Sequence, residues 1–392
     1  MDPDPFGRLP WFVLQKVLSN LPGLPALHSL YKASPEVAGF LHQNNDLFAR
    51  IVDSIIDNSI RERGLAPHVQ DTIRLIILVW TITQEPETDI LGILHYARER
   101  PSDWPSMLKA ISPLTPSAIL CRLLRLVVRL RCLVHAYFHS TITRCLRLQV
   151  EHLPRKTRYH STCPVVDLSR RPQGIPYTPV DIGPPTWVEE QRLLGSFLCI
   201  VLFYELRKAH IECPLVTEDN EITCALLDNN VEGFWGKVLW KRNNEGQEEQ
   251  IATLLHWLDQ QAGGRENVYP WLISSKASMD YSNCCQSYTT VMDSQMDGLE
   301  IMDNSLDTGR SSRGMMCLSL SNRHPRSPLK GLDSSVFRPY GLVFWDGVRM
   351  DGLGFPEGVG APHRMWFALS SIFTEDDWTE LLRRQSNIAA AT

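Results

Sequence analysis

Arg122, Arg125 and Arg129 stand at a spacing that could do chemistry. At about 100° per helical residue they fall on one narrow stripe, while Leu123, Val127, Leu130 and Val134 fall on another. Guanidinium forks pair with carboxylates and phosphates, so the stripe could grip an acidic peptide, a phosphopeptide or a membrane surface. The plainer reading is a solvated or ion-paired helix face. The acidic series Asp280, Asp293, Asp297, Glu300, Asp303 and Asp307 is a candidate internal partner for it. His135 and His139, four residues apart with Cys132 one turn earlier, could place metal ligands on one helical side. No further ligand cluster completes them, so a buried polar face is the expectation and no metal is assigned. Glu189 and Glu190 are consecutive helix positions, which do not face each other, so they make a poor acid/base pair. "DGLGFPEGVG" follows no apolar strand and no lysine comes after it, which argues against a phosphate cradle. There is no Gly-x-Ser-x-Gly elbow. Neither a catalytic residue nor a cofactor is therefore expected. Ser327 in "RSPLK" matches the serine-proline-x-lysine pattern of proline-directed kinases, and a phosphate there would set negative charge beside Arg326 and Lys330.

Composition narrows the classes further. The 392 residues are 43% hydrophobic and 21% charged, with a net charge of −5, which fits a globular chain of one large or two to three modest domains. A pI near 6.2 disfavours a dedicated nucleic-acid binder. "MDPDPFGR" lacks the basic and apolar regions of a secretory signal. The longest apolar run, between Arg192 and Glu205, falls short of the ~20 residues that cross a bilayer. Ten scattered cysteines fit reduced thiols. The expectation is a cytoplasmic or nuclear protein with no membrane and no nucleic-acid partner.

The elements that must position these residues read as helices. Trp11, Leu14, Leu18 and Leu21, joined by Val13 and Val17, recur at helical period until Pro22. A second short helix is read over residues 26–32. Ser34 caps a third with Pro35 at its first position, and Leu47, Phe48, Ile51, Val52, Ile55, Ile56 and Ile60 mark a fourth. "TIRLIILVWTIT" is β-branched enough for a strand, but its length and neighbours favour helix. "PSAILCRLLRLVVRLRCLVHAYFHSTITRCLRLQV" forms one long helix or two. Residues 153–186 are proline-rich and read as an extended surface connection. Thr186 and Glu189 form a capping box before "RLLGSFLCIVLFYEL", a run apolar on nearly every face and so a central helix. Residues 274–335 are poor in leucine and isoleucine and rich in Ser, Asp, Met and Asn, which reads as a disordered insertion. Thr374 caps a closing helix in "EDDWTELLRR".

The first stretch, "LPWFVLQKVLSNLPGLPALHSL", resembles an F-box. The resemblance is carried by Leu9 and Pro10, a helix ending in "VLSNL", a Leu-Pro-x-Leu step through Leu24 and Leu27, and Leu30, and it covers about residues 6–48. It departs from the usual pattern after Leu30, where "YKASPEVAGFL" replaces a common Val-Ser-x-x-Trp segment. Much of the remainder is similar to proteins of filamentous fungi that begin with such a segment, through "DPFGRLPW", "LHSLYKASPEV", "PTWVEEQRLL", "LFYELR" and "YGLVFWD". The resemblance implies a helical module whose leucines dock on the Skp adaptor of Skp-cullin-F-box ubiquitin ligases, here through Leu9, Pro10, Leu14, Val17, Leu18, Leu21, Leu24 and Leu27. It also implies a protein substrate held by the larger domain. The alternative is a helical scaffold whose F-box-like segment is packed into its own core. The expected architecture is mainly α: an F-box-like helical module over 1–60, an irregular helical domain over 61–273, the disordered insertion over 274–335, and a C-terminal part of the helical domain over 336–392.

Overall fold

A computed structural model describes residues 4–57, 64–82, 111–152, 171, 173–212, 220–240, 245–274, 312–324, 327, 329–355 and 362–391. They form a mainly α protein whose contacts divide it into two compact units. One unit holds Met1–Ala136 and Glu190–Arg310; the other holds Tyr137–Glu189 and Ser311–Thr392. This corrects the expected division. Residues 1–60 are not a separate module, because polar ties bind them to later chain in the same unit. Asn45 donates to the carbonyls of Pro113 and Thr115, and Asp53 accepts from Arg74 and from the Ile111 amide. The C-terminal stretch likewise joins residues 137–189 rather than extending the larger domain.

In the first unit a short 3-10 turn, Pro5–Arg8, leads into α1 (Trp11–Ser19), α2 (Leu24–Ala33), α3 (Pro35–Gln43) and α4 (Asn45–Asp57). Ser34 caps α3 as expected, its hydroxyl accepting from the Val37 amide at 3.1 Å. The buried stripe of α4, including Phe48, Ile51, Val52 and Ile56, is the wall on which α1, α2 and α3 all pack. The β-branched run over Pro67–Ile82 is helical (α5), and Ser117–Cys145 is a single 29-residue helix (α6). Residues 137–145 of α6 belong to the second unit. Trp187–Glu212 forms α7, in which every residue from Gln191 to Leu206 is buried, the burial its all-round apolar surface demands. Its buried Gln191 side chain is used: it accepts from the Ala66 amide at 2.9 Å. The unit closes with α8 (Asn220–Leu227), α9 (Val231–Trp240), α10 (Glu245–Ala262) and α11 (Val268–Ile273).

The second unit contains a feature the sequence did not announce, a two-stranded antiparallel sheet. It pairs β1 (Val150–His152) with β2 (Ile175–Tyr177), Val150 opposite Tyr177. Three-residue strands carry too little period-two pattern to be read in advance. Residues 153–170 and 172 of the proline-rich connection lie outside the described residues. So do residues 275–311 of the segment read as a disordered insertion, while the helix that follows Ser312 corrects the far bound given to it. Arg313–Arg323 forms α12, capped by Ser312, with Gly314, Cys317, Leu318 and Ser321 buried at helical spacing. Composition averaged over the whole segment concealed this short buried face. After two 3-10 turns, Ser334–Tyr340 and Leu342–Phe344, come α13 (Gly347–Gly352), α14 (Pro362–Ser370) and α15 (Glu375–Ala391).

Two glycines are required here. Gly341 joins the 3-10 turns at φ 62°, and a Cβ on it would meet the Tyr137 hydroxyl. Gly314 lies against the Leu342 carbonyl, with its own amide donating to Trp345 O at 3.1 Å. A methyl group there collides with backbone that cannot rotate away. Gly314→Ala is expected to cost about 1–3 kcal/mol, read as a lower urea midpoint at unchanged m-value.

Candidate docking surface and a buried charge network

The N-terminal helices sort the eight expected contact residues into two sets. Leu9, Pro10 and Val17 are exposed and Leu21 is half-buried, whereas Leu14, Leu18, Leu24 and Leu27 are buried. The last four cannot contact a partner, because they are the core through which α1 and α2 meet their neighbours. Two residues absent from the expected set take their place: Trp11 is 66% exposed and Phe12 59%. Helical geometry could have found Phe12. It lies on the face opposite Leu14 and Leu18, one turn before the exposed Lys16. The exposed apolar residues are therefore the entry Leu9 to Phe12 and, separately on α1, Val17, with Arg8 and Lys16 also exposed.

Its approach is pinned. The Asp4 carboxylate accepts from the Phe6 amide, the Ser34 hydroxyl and the Glu36 amide, so it caps both the 3-10 turn and α3. The Ser34 hydrogen bond is the main cause that holds the Asp4 carboxyl below the usual carboxylate range. Beneath the surface, His28 on α2 is buried, and its Nε2 has no hydrogen-bond partner among the described residues. Burial, then Lys32 and Arg125, push its pKa below the ordinary 6.5. The unfolded chain binds this proton more readily, so stability present at neutral pH is lost as pH falls through the unfolded value towards the lower folded one. Melting followed from roughly pH 7.5 to 5 should show this slope in the wild type and a flatter one in His28→Gln.

The arginine stripe on α6 proves to be internally paired. Arg122 reaches Glu205 at 2.6 Å and lies over the Trp80 ring at 4.1 Å; Glu205, only 3% exposed at its side chain, also accepts from the Tyr269 hydroxyl at 2.6 Å. Arg129 is half-buried over the Trp271 ring, and burial lowers its pKa. Only Arg125 is exposed, bonding back to Cys121 O. Buried carboxylates and indole faces thus take up two of the three guanidinium groups. The plainer reading, an ion-paired face, describes Arg122, and the alternative of an open acidic-ligand stripe loses two of its three members. The acidic series from Asp280 to Asp307, its expected internal partner, lies outside the described residues.

Sequence reasoning missed a second network, in the second unit. Thr186 and Glu189 make the expected capping box, with Thr186 N donating to Glu189 Oε2 at 3.0 Å and Glu189 N to Thr186 Oγ1 at 3.3 Å. Glu189 is also completely buried and faces Arg349 of α13, whose Nε lies 3.0 Å from both carboxylate oxygens. The guanidinium further donates to the carbonyls of Gly183 and Pro184 and lies over the Phe138 and Trp345 rings. Asp346 completes the ring by donating its amide to Glu189 and accepting from the Thr186 hydroxyl. Burial and then Asp346 push the Glu189 carboxyl up, and Arg349 opposes them. The network joins "PTWVEEQRLL" to "VFWDGVRM". The signal was indirect: a carboxylate at the start of a buried helix needs a cation, but nothing local says which.

Other expected sites resolve simply. Ser327 is 7% exposed and its hydroxyl accepts from the Leu329 amide at 3.1 Å, so it is buried in a turn rather than displayed to a kinase. This is a correction. Glu190 pairs with Arg131 at 3.1 Å. His139 is half-buried, and burial lowers its pKa. Among the described residues no group of three or more His, Cys, Asp or Glu side chains could hold a metal ion, and no helix is long and apolar enough to cross a membrane. The chain matches no family model, no curated protein and no solved structure.

Proposed function

We propose that this chain is a substrate-receptor subunit of a Skp-cullin-F-box ubiquitin ligase, docking on the Skp adaptor through its N-terminal helices and holding a protein substrate through the remaining helical body. The observation that carries the reading is the exposed set Leu9, Pro10, Trp11, Phe12 and Val17, lying on the very segment that resembles an F-box. Each large apolar side chain that becomes fully covered contributes about 1.5–3 kcal/mol, so two aromatics with aliphatic flanks supply a docking energy of useful size. Ligase chemistry belongs to other subunits in this reading. A cytoplasmic or nuclear setting accords with Cys121, Cys132, Cys145 and Cys224 standing as free thiols.

Co-purification with the Skp adaptor tests the proposal. The wild type should retain the adaptor, and Trp11→Asp with Phe12→Asp should lose it while keeping helical circular dichroism. Failure of the wild type to retain it, or equal retention by the variant, ends the reading. The burial of Leu14, Leu18, Leu24 and Leu27 favours a second reading, a helical scaffold that has absorbed the segment into its own core. An adaptor-free wild type is what that reading expects.

A further inference from the structure

Four chemistry-bearing side chains outside the docking face converge where α2 and α3 meet the start of α6. His42, at the end of α3, places Nδ1 3.0 Å from Ser117 Oγ and Nε2 2.7 Å from Tyr31 Oη. Cys121 neighbours the Tyr31 hydroxyl closely enough to raise its pKa. His42 is exposed, and Tyr31, Ser117 and Cys121 are half-buried, so a reagent in solution can reach the group. No motif announced the cluster, because 75 positions separate His42 from Ser117.

One tautomer of the His42 ring gives these hydrogen bonds a direction that can activate Ser117. When Nε2–H donates to Tyr31 Oη, Nδ1 carries the lone pair and accepts the Ser117 proton, and Tyr31 keeps its own proton. Cys121, followed by burial, pushes Tyr31 up to about 12. It therefore stays a neutral phenol and orients the imidazole without taking its proton. A nucleophile bonded to a base, and the base bonded to an orienting group, is the arrangement that activates a serine.

We propose that Ser117 is a nucleophile, activated by His42 and oriented by Tyr31, that accepts acyl groups from activated esters. Ser117 Oγ attacks the acyl carbon as its proton passes to His42 Nδ1, and the carbonyl electron pair moves onto oxygen. Ser117 is the first residue of a 29-residue helix, and first-turn amides such as those of Ser117 and Ala118 lack intrahelical acceptors, so they can face that oxyanion. Collapse expels the alcohol, which takes the proton from His42 and leaves acyl-Ser117. Water then attacks the acyl group, giving its proton to His42, and release of the carboxylic acid returns the proton to Ser117. If the same hydrogen bonds merely tie α3 to α6, none of these residues needs to be reactive.

A fluorophosphonate probe on the full chain separates the two cases. Peptide mass spectrometry should find the phosphonyl group on Ser117, Ser117→Ala should remain unlabelled, and His42→Gln should label about 10²-fold more slowly at unchanged circular dichroism. p-Nitrophenyl acetate should release a burst of one p-nitrophenolate per chain. Tyr31→Phe, a positioning change, should shift the pH profile of labelling. An unlabelled wild type, a label that persists in Ser117→Ala, or equal labelling rates for wild type and His42→Gln would each overturn the proposal.

Discussion

Arg349→Met lowers the stability of the second unit by about 3–5 kcal/mol, the usual cost of removing one member of a buried ion pair. The magnitude follows from what is left behind. Glu189 keeps the amides of Thr186 and Asp346 as donors but loses its paired cation in a site with no solvent exposure. Methionine fills part of the space between the Phe138 and Trp345 rings, so a cavity is the smaller part of the loss. Glu189→Gln combined with Arg349→Met should recover part of the difference, because no charge then remains buried. The pH dependence carries the sign. The folded Glu189 carboxyl already lies above its ordinary value, and losing Arg349 raises it further. A raised carboxyl binds a proton in the folded state that the unfolded state releases, so stability is present at low pH and lost as pH rises through the folded value. The single variant should therefore be least impaired in acid, and the double variant should not share that slope. Urea unfolding at several pH values measures both. A single-variant loss below about 1 kcal/mol would show that the network is not a buried charge network at all.

What could be read in advance was local. Ser34, the Thr186–Glu189 box and Thr374, whose hydroxyl accepts from the Asp377 amide at 3.1 Å, each announce a helix start within four residues. The central position of α7 was legible for the same reason, since a run apolar on every face admits no other placement. Partners were not legible. Arg349 lies 160 positions from Glu189, Tyr177 pairs with Val150 across a proline-rich stretch, and His42 meets Ser117 across 75 positions. The docking surface was half legible. Periodicity located α1 but listed its apolar residues without assigning them a side, and the side depends on where α4 packs. Trp11 was read on the same stripe as Leu14 and Leu18, and Phe12 was not named, yet an exposed large aromatic is the more informative observation.

That distinction between the two faces of α1 sets the second large effect. Leu18→Ala is expected to destabilise the first unit by about 2–5 kcal/mol, whereas Phe12→Ala should change its stability by less than about 0.5 kcal/mol. Leu18 is fully buried, as are Leu27, Val37, Leu41 and Phe48 on the neighbouring helices, so truncation leaves a cavity that the pinned helices cannot close. Asp4 holds the chain before α1 to the start of α3, and Asn45 holds the start of α4 to the segment before α6, which limits collapse into the gap. Phe12 loses almost nothing because more than half of it is already in water. In a docking assay the order should differ: Phe12→Ala weakens adaptor retention directly, and Leu18→Ala weakens it only at temperatures where the first unit begins to melt. Thermal melts paired with retention measured at several temperatures separate the two. If Leu18→Ala abolished retention well below its melting range, Leu18 would belong to the contact surface after all, and the sorting of α1 into buried leucines and exposed aromatics would fail.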